Sequence, residues 1–473
     1  MTDRRHQAIP ARGQVVGPLV PLVGDGIPVA CADGTERPYL WLDAAASTGA
    51  VRPALARVQE FLPWYSSVHR GAGHKSQVIT SAYGDARAAA LAFARRIGRH
   101  GDVAILYHDT TEALNNLAYR LRMTRDDVVV ATVAEHHANL LPWSRAATCR
   151  YIECGRDGTF GVSDALFVLD QQPAPRLLAI TGASNVTGWM PPLAPIIAGA
   201  HERGIPVVVD AAQLAPHRPL PADADFVAWS GHKMYAPFGV GVLVGPRTAF
   251  ADGDPFLAAG GAVDLVDLDE VVWTDPPDRE EAGSADVIGA VALHAAIDTL
   301  GKIGWPALTG HDRSIARSLR HGLASIPGVR LLGPGVDVET LPVAAFTVRG
   351  VPHALVAARL AAEDAIGVRH GCFCAHPYLM RLLGLSREEV HRYRQQVRRG
   401  DRSAMPGAVR ASAGINTTED DVQRLLAAVA RVADGPALVR YYQDRRTGDY
   451  QPDTDGPARL PRPRPGRRSC SLG

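Results

Sequence analysis

Lysine is nearly missing from this 473-residue chain. Lys and Arg together number 50, yet the only lysines are Lys75, Lys233 and Lys302. Arginine has taken over the general surface role, so a retained lysine is a candidate for the one task arginine cannot perform, service as an unprotonated amine nucleophile. Cysteine is also scarce, with six irregularly spaced residues. That fits free thiols in a reducing, cytoplasmic setting better than a disulfide framework. No apolar run approaches the roughly 18 residues of a membrane span, and the leading MTDRRHQAIPARGQ has no apolar core of a signal peptide. A net charge of +1 gives no global attraction to nucleic acid or an anionic membrane, so neither is expected as a partner. No GxGxxG or GxxxxGK[ST] stretch is placed to bind a nucleotide.

What is present is an alternation. DVAILYHD (102–109), DDVVVATVAEHH (126–137), RLLAITGASN (176–185), IPVVVDAAQ (205–213), ADFVAWSGHK (224–233) and GVGVLVG (239–245) read as strands. TEALNNLAYRLR (111–122) and LAPIIAGAHERG (193–204) read as helices. Short β-branched runs separated by helices imply an α/β fold with a mainly parallel sheet buried on both faces. Beyond it, a helix over 310–330, a strand over 341–348 and helices over 353–367 and 420–433 predict a smaller C-terminal α+β domain. The Arg-, Pro- and Gly-rich end, with RLPRPRPGRRSC, is expected to be disordered and solvated.

Ligands of open parallel sheets gather beyond the carboxyl ends of the strands, and here those ends carry polar groups. One ends in Asp210, another in Ser230, Gly231, His232 and Lys233, a third in Ser184 and Asn185, a fourth in Glu135, His136, His137 and Asn139. Asp109, Thr110 and Thr111 precede a helix. Each piece has a plain structural reading: an Asp after a strand is often a helix cap, as is a Thr before a helix, and a lone His is often a satisfied loop residue. Together they suit one ligand, pyridoxal 5'-phosphate (PLP). It needs an amine, supplied by Lys233; a carboxylate on its ring nitrogen, supplied by Asp210; and a phosphate cradle at a helix N-terminus. Ser230 and His232 add donors, and a flat His136 suits the ring face.

These stretches resemble the class V aminotransferase family of fold-type I PLP-dependent enzymes, and within it the cysteine desulfurases of the second group and selenocysteine lyases. YLWLDAAAS (39–47), SVHRGAGHKS (67–76), DTTEALNNLA (109–118), EHHANLLPW (135–143), SNVTG (184–188), DAAQ (210–213) and SGHKMYAPFGVG (230–241) follow in family order. The resemblance implies Lys233 as the Schiff-base lysine, Asp210 as the pyridinium partner and His136 as the stacking residue. It implies Gln213 and Asn185 near the phenolic oxygen, and Thr111, Ser230 and His232 on the phosphate with Thr110 lending backbone. A GTPN turn from a second subunit completes the family's phosphate site. Here the matching stretch is EAGSADV (281–287), which keeps Ser284 but not the Pro and Asn. A homodimer is implied. AVRASAGINTTEDDV (408–422) resembles the family's R-x-S-x-x-x-N-T element, making Arg410 the clamp for a substrate carboxylate. Lys75 and Lys302 read as surface residues. The implied organisation is an N-terminal segment, 1–48, associated with the small domain; a large PLP-binding domain, 49–305; the small domain, 306–435; and a disordered tail, 436–473.

RHGCFCAHP (369–377) aligns with the family's RTGHHCAQP, so Cys374 matches the catalytic cysteine and Cys372 a histidine. The Cys-Phe-Cys arrangement also resembles the molybdenum-cofactor sulfurases. No second Cys or Cys/His pair stands at zinc spacing, so no metal is expected. The implied reaction converts L-cysteine to L-alanine: Lys233 moves the Cα proton, and the Cys374 thiolate takes the sulfur as a persulfide for an acceptor. Positive neighbours must favour the thiolate, and Arg369, His370 and His376 flank it. A long Arg-rich segment separates Cys374 from Arg410 and reads as an amphipathic helix near the site, whether lid, acceptor dock or packing. Two alternatives stay open: an aminotransferase, epimerase or other C–S or C–N lyase of the same family, and a non-catalytic PLP-fold binding module.

Overall fold

A computed structural model describes residues 17–68, 71–96 and 101–453. His69 and Arg70 of the HRG stretch, and the tail from 454, lie outside the described residues. Seven strands form the main sheet: β1 (Asp102–Tyr107), β2 (Val128–Thr132), β3 (Thr148–Ile152), β4 (Leu177–Thr181), β5 (Val207–Asp210), β6 (Phe226–Ser230) and β7 (Gly241–Pro246). Their order is β1-β7-β6-β5-β4-β2-β3. β7 runs antiparallel to β1 and β6, and the other neighbours pair in parallel. β2, β4, β5 and β6 are buried along their whole length, because each face meets its own layer. Val130, Leu178 and Val209 point into one core, with Ile79 and Tyr83 of α1 (His74–Phe93). Val129, Ala179 and Val208 point into the other, with Leu114 and Leu117 of α2 (Thr110–Arg120). The period of two explains why these strands read as unbroken apolar runs. The same pairing brings the carboxyl ends of β1, β2, β4, β5 and β6 to one edge.

α3 (Val287–Ile303) ends at Gly304, and α4 (Trp305–Ser325) leaves it at 83° toward a second lobe. No single helix among the described residues is long and apolar enough to cross a membrane, and the bent pair buries Leu293 and Leu300 in one core and Ile315 and Leu319 in another. The second lobe holds β8 (Val329–Leu332), β9 (Val343–Val348), β10 (Arg369–Gly371) and β11 (Ala408–Ser412), antiparallel in the order β8-β9-β11-β10. α4, α5 (His353–Asp364) and α8 (Glu419–Asp434) cover it, sharing a core of Leu319, Leu360 and Leu425. The N-terminal strand Leu40–Trp41 pairs with Ile366–Gly367, and Asp43 bridges to Ser412. Between Cys374 and Arg410 lie α6 (His376–Leu383) and α7 (Arg387–Arg398). α7 opens with a reciprocal Ser386–Glu389 capping box and buries none of its residues.

The tail departs from expectation. Disorder is expected from 436, but Tyr441–Gln443 and Tyr450–Pro452 form an antiparallel hairpin. Polar contacts hold it rather than apolar burial: Tyr441 Oη donates to Glu363 Oε1 (3.0 Å), Gln443 Nε2 to Ser403 O (2.9 Å) and Arg402 N to Arg445 O (2.8 Å).

Candidate active site

The turn after β1 separates two roles that the sequence runs together. Asp109 is the helix cap, its Oδ1 accepting from Glu112 N at 2.9 Å. The threonines behind it are released from capping. Thr110 is buried, its N donating to Ser230 Oγ (2.8 Å) and its hydroxyl lying 2.6 Å from the same oxygen. Thr111 is exposed at the first turn of α2, where free N–H groups and the dipole favour an anion. β7 reaches this turn only because residue 241 is glycine: a Cβ there would sit 2.5 Å from Asp109 Cα.

β5 ends in Asp210, buried at 4% exposure, with Oδ1 accepting from Ala212 N at 2.9 Å. That is a local turn two residues long and not a helix cap. Past the end of β6, Lys233 closes a short 3-10 turn. Loss of water pushes the Lys233 amine down from its usual range, against the pull of Asp210, and pushes the Asp210 carboxyl up, against the pull of Lys233. His136 accepts from Ala138 N at Nδ1 (3.1 Å), and burial pushes its pKa down to about 3. His232 has Nδ1 3.3 Å from Ser47 Oγ and is pushed down to about 4 by burial. Both imidazoles are therefore neutral at pH 7.

A cavity of about 330 Å³ gathers these groups at the sheet edge. Thr110, Thr111, His136, Asn185, Asp210, Ser230, His232, Lys233, Cys374 and Arg410 all line it. Two expected residues do not. Gln213 is buried and donates from Nε2 to Ala45 O (2.6 Å), stapling the N-terminal segment to the loop after β5. One hydrogen of its amide is held by backbone, and the side chain is not among those lining the cavity. Ser284 lies in a separate surface pocket with Tyr65 and Ser67. Lys75 sits in the first turn of α1, donating to Pro63 O (2.8 Å), and Lys302 in the last turn of α3, so neither reaches the cavity.

Arg410 is 2% exposed. Its Nη2 donates to Asp43 Oδ1 (2.7 Å) and its Nη1 to Asn185 O (2.9 Å), while Nε is buried without a partner. The other Asp43 oxygen accepts from Arg369 at 2.8 Å. Asp43 is the functional-site neighbour that sequence reasoning overlooks. It stands inside the quoted YLWLDAAAS, and a lone Asp between apolar and small residues is its signal.

The Cys loop is pinned on several sides. Phe373 O accepts from Asn185 Nδ2 (2.6 Å), Cys374 O accepts from His137 N (2.8 Å), and the Arg410 guanidinium lies over the Phe373 ring at 5.0 Å. Phe373 and Cys374 both adopt φ of +53°, a region uncommon for non-glycine residues. The two thiols differ. Cys372 is buried, donates from Sγ to Pro406 O (3.1 Å), and is pushed up to about 11 by burial. Cys374 is exposed. The flanking histidines are not the cations expected. His376 stacks on His137 with ring centroids 5.0 Å apart, His370 lies 3.3 Å from Asp449, and burial pushes both imidazoles down. Lys233 and Arg410 lie within electrostatic reach of Cys374, and Arg369 lines the same cavity. Among the described residues no group of His, Cys, Asp and Glu is placed to hold a metal ion.

Comparison with known proteins follows the same geometry. The Aminotransferase class-V family matches residues 40–425. A cysteine desulfurase of Dickeya dadantii is 33% identical over 409 residues, 84% of this chain and 92% of the relative. A probable cysteine desulfurase of Mycobacterium leprae is 34% identical over 412 residues, 83% of this chain and 91% of the relative. Among solved structures, the apo cysteine desulfurase of Thermococcus onnurineus superposes with a TM-score of 0.74 at 28% identity, over 84% of this chain and 95% of that one. A cysteine desulfurase of Escherichia coli in an S-sulfonic acid form gives 0.69 at 30% identity, over 83% and 94%.

Proposed function

Since the chain belongs to the class-V aminotransferase family, we propose that it is a PLP-dependent cysteine desulfurase that takes sulfur from L-cysteine as a persulfide on Cys374 and releases L-alanine. One observation carries this reading: an exposed thiol, an amine depressed from its usual range, a buried carboxylate and a buried guanidinium share one cavity. The relatives the chain resembles are cysteine desulfurases, in agreement with this reading.

The donor set fits PLP. Lys233 offers the amine that would hold it, and the neighbouring Asp210 the carboxylate for its ring nitrogen. Thr111, Ser230 and His232, at and beside the N-terminus of α2, would hold the phosphate, with Thr110 keeping Ser230 Oγ in place. His136, neutral and held through Nδ1, would cover the ring face. When bound, the cofactor supplies an electron sink for charge developing at the substrate Cα.

The chain's own residues do the rest. Arg410 lines the cavity and would take the substrate carboxylate, while Asp43 and Asn185 O hold Nη2 and Nη1 and so fix the guanidinium plane. Lys233, inclined toward its neutral form, removes and returns the proton at Cα. The Cys374 thiolate attacks the substrate sulfur. The Cβ–S bond breaks with its electron pair left on carbon, the new S–S bond is the persulfide, and protonation of the carbon skeleton gives alanine.

A second copy of the chain fits the same reading. Ser284 lies outside its own chain's cavity, and the nearby hairpin Val263–Val266/Val271–Trp273 exposes Leu265, Val266 and Leu268. Such a patch suits a homodimer in which Ser284 completes its neighbour's phosphate site.

The test is direct. PLP-loaded protein given L-cysteine should carry an alkylatable persulfide on Cys374, read by mass spectrometry, and its visible absorbance band should vanish in Lys233→Ala. Cys374→Ala should lose sulfur release by about 100-fold or more, as removal of a nucleophile does. Sulfur release at the wild-type rate from Cys374→Ala would sink the reading.

A further inference from the structure

Cys374 opens on two cavities. The first is the sheet-edge site. The second, about 640 Å³, lies on the small-lobe side, and only Phe373 and Cys374 belong to both linings. Its far walls come from the two segments that the lobes do not need. One is the loop after α7, including Ala404 and Met405; the other is the C-terminal hairpin, including Gln443 and Thr447. α7 buries no residue, so the segment adds nothing to the lobe's core. Instead the segments are fastened to each other and to the Cys loop. Gln443 Nε2 donates to Ser403 O (2.9 Å), Cys372 Sγ to Pro406 O (3.1 Å), and His353 Nε2 lies 3.0 Å from Met405 O.

Apart from the exposed Arg402, whose Nη1 donates to Arg446 O (3.0 Å), the lining is neutral and partly apolar. Val348, Leu383 and Leu385 line it beside His353, His370 and Cys372. Burial holds both imidazoles below their usual range and the Cys372 thiol up at about 11, so all three are uncharged at pH 7. Nδ1 of His353 and Nδ1 of His370 are each buried without a hydrogen-bond partner. A volume of this size suits a small organic ligand. Cys372 is excluded as a relay, since a thiol held protonated and bonded to Pro406 O is a poor nucleophile.

We propose that this chamber binds the sulfur acceptor, a small, partly apolar thiol, and presents it to Cys374 from the side away from the substrate. The inference rests on the desulfurase reading. The acceptor's sulfur bonds to the outer sulfur of the Cys374 persulfide, and the bond between that outer sulfur and Cys374 Sγ breaks. The acceptor leaves as a hydropersulfide, and Cys374 regains its thiol with the proton the acceptor gave up. Sulfane sulfur moves between two thiols, so no external oxidant or reductant enters. The loop and hairpin bound a cavity of about 640 Å³ beside Cys374, a size that favours a small molecule over a protein.

The experiment has two stages. PLP-loaded full-length protein is first given L-cysteine, and the Cys374 persulfide is quantified by mass spectrometry. Absence of loading overturns the desulfurase reading, and the chamber's role with it. Loaded protein is then chased with benzyl mercaptan or, as a charged polar comparison, mercaptoethanesulfonate, and the hydropersulfide is trapped by alkylation. Discharge should saturate with benzyl mercaptan and run about tenfold faster than with mercaptoethanesulfonate, equivalent to about 1.4 kcal/mol. Ala404→Trp and, independently, Thr447→Trp should slow that discharge about tenfold and leave loading unchanged. Normal loading with equal, non-saturating discharge by both thiols, or unchanged discharge in both variants, overturns the chamber proposal. So does discharge only by an added protein.

Discussion

Asp43→Ala removes the one carboxylate shared by Arg369 and Arg410, and the structure sets what that costs. Arg410 is 2% exposed and Asp43 3%, with Nη2 and Oδ1 2.7 Å apart. At an effective dielectric of about 20 the gross attraction at this distance is about 6 kcal/mol. Most of it offsets desolvation, and burial still leaves the Arg410 pKa below its usual range in spite of Asp43. The cost of Asp43→Ala is therefore the cost of a buried cation left without its partner, about 3–5 kcal/mol. Arg369 supplies the comparison. Its side chain is 50% exposed, so Arg369→Ala should cost no more than about 1 kcal/mol. The double variant Asp43→Ala/Arg410→Met should recover about 2 kcal/mol or more relative to Asp43→Ala, because it removes the stranded charge along with its partner. Urea unfolding read by far-UV circular dichroism, applied to Asp43→Ala, Arg410→Met, Arg369→Ala and the double variant with slopes compared, gives the four losses. A loss below about 1 kcal/mol for Asp43→Ala, or losses in the double variant that simply add, would refute the account of Arg410 as a buried cation held by Asp43.

Cys374→Gly should raise stability by about 1 kcal/mol, because glycine takes φ of +53° freely and the relief of a strained position exceeds its added chain entropy. The same variant should form no persulfide, so a stability loss in urea unfolding would contradict the strain argument. For pH dependence, His136 and His232 have folded pKa values pushed down to about 3 and about 4. The unfolded chain binds protons first, so their contribution is complete above about pH 6.5 and is lost as pH falls toward 4 and then 3. The slope reaches at most about 1.4 kcal/mol per pH unit for each imidazole. Urea midpoints measured from pH 7.5 to 4.5 should fall, and fall less steeply in His136→Asn; an unchanged slope in that variant would count against a buried neutral His136.

The strands that place the site were legible because each is buried on both faces. Runs such as VVVAT, LLAIT and VVVD carry the signal in every residue. β3, TCRYI, escaped notice as an edge strand with one residue fully buried, and so did α1, whose polar opening HKSQ reads as loop. Polar groups at the strand ends were equally legible, because a strand end fixes where a side chain begins. What they bond to was not. The Asp43–Arg410 contact spans 367 residues of chain, and nothing local in YLWLDAAAS records that an arginine will arrive there. The bond from Gln213 to Ala45 O, 168 residues away, was illegible for the same reason. The C-terminal hairpin was illegible for a different cause. Backbone and polar side-chain bonds secure it, and a reading that weighs apolar content has no purchase on them.

Two cysteines one residue apart end in opposite environments, and the backbone between them supplies the reason. Gly371 at φ of +107° and then Phe373 and Cys374 at +53° turn the chain sharply just past β10. Cys372 faces the loop after α7 and spends its hydrogen on Pro406, whereas Cys374 emerges exposed. Left-handed φ at two consecutive non-glycine residues costs about 1–3 kcal/mol each and survives only where surrounding contacts over-determine it. They do so here from three elements. Asn185, beyond β4, holds the Phe373 carbonyl; His137, beyond β2, holds the Cys374 carbonyl; and Arg410, on β11, lies over the Phe373 ring. Asn185 O and Asp43 fix Arg410 in turn, so the residue that would grip the substrate also holds the strained loop that presents the thiol. Substrate grip and thiol presentation are therefore one construction across the seam between the lobes, and a change that loosens Arg410 should disturb both together.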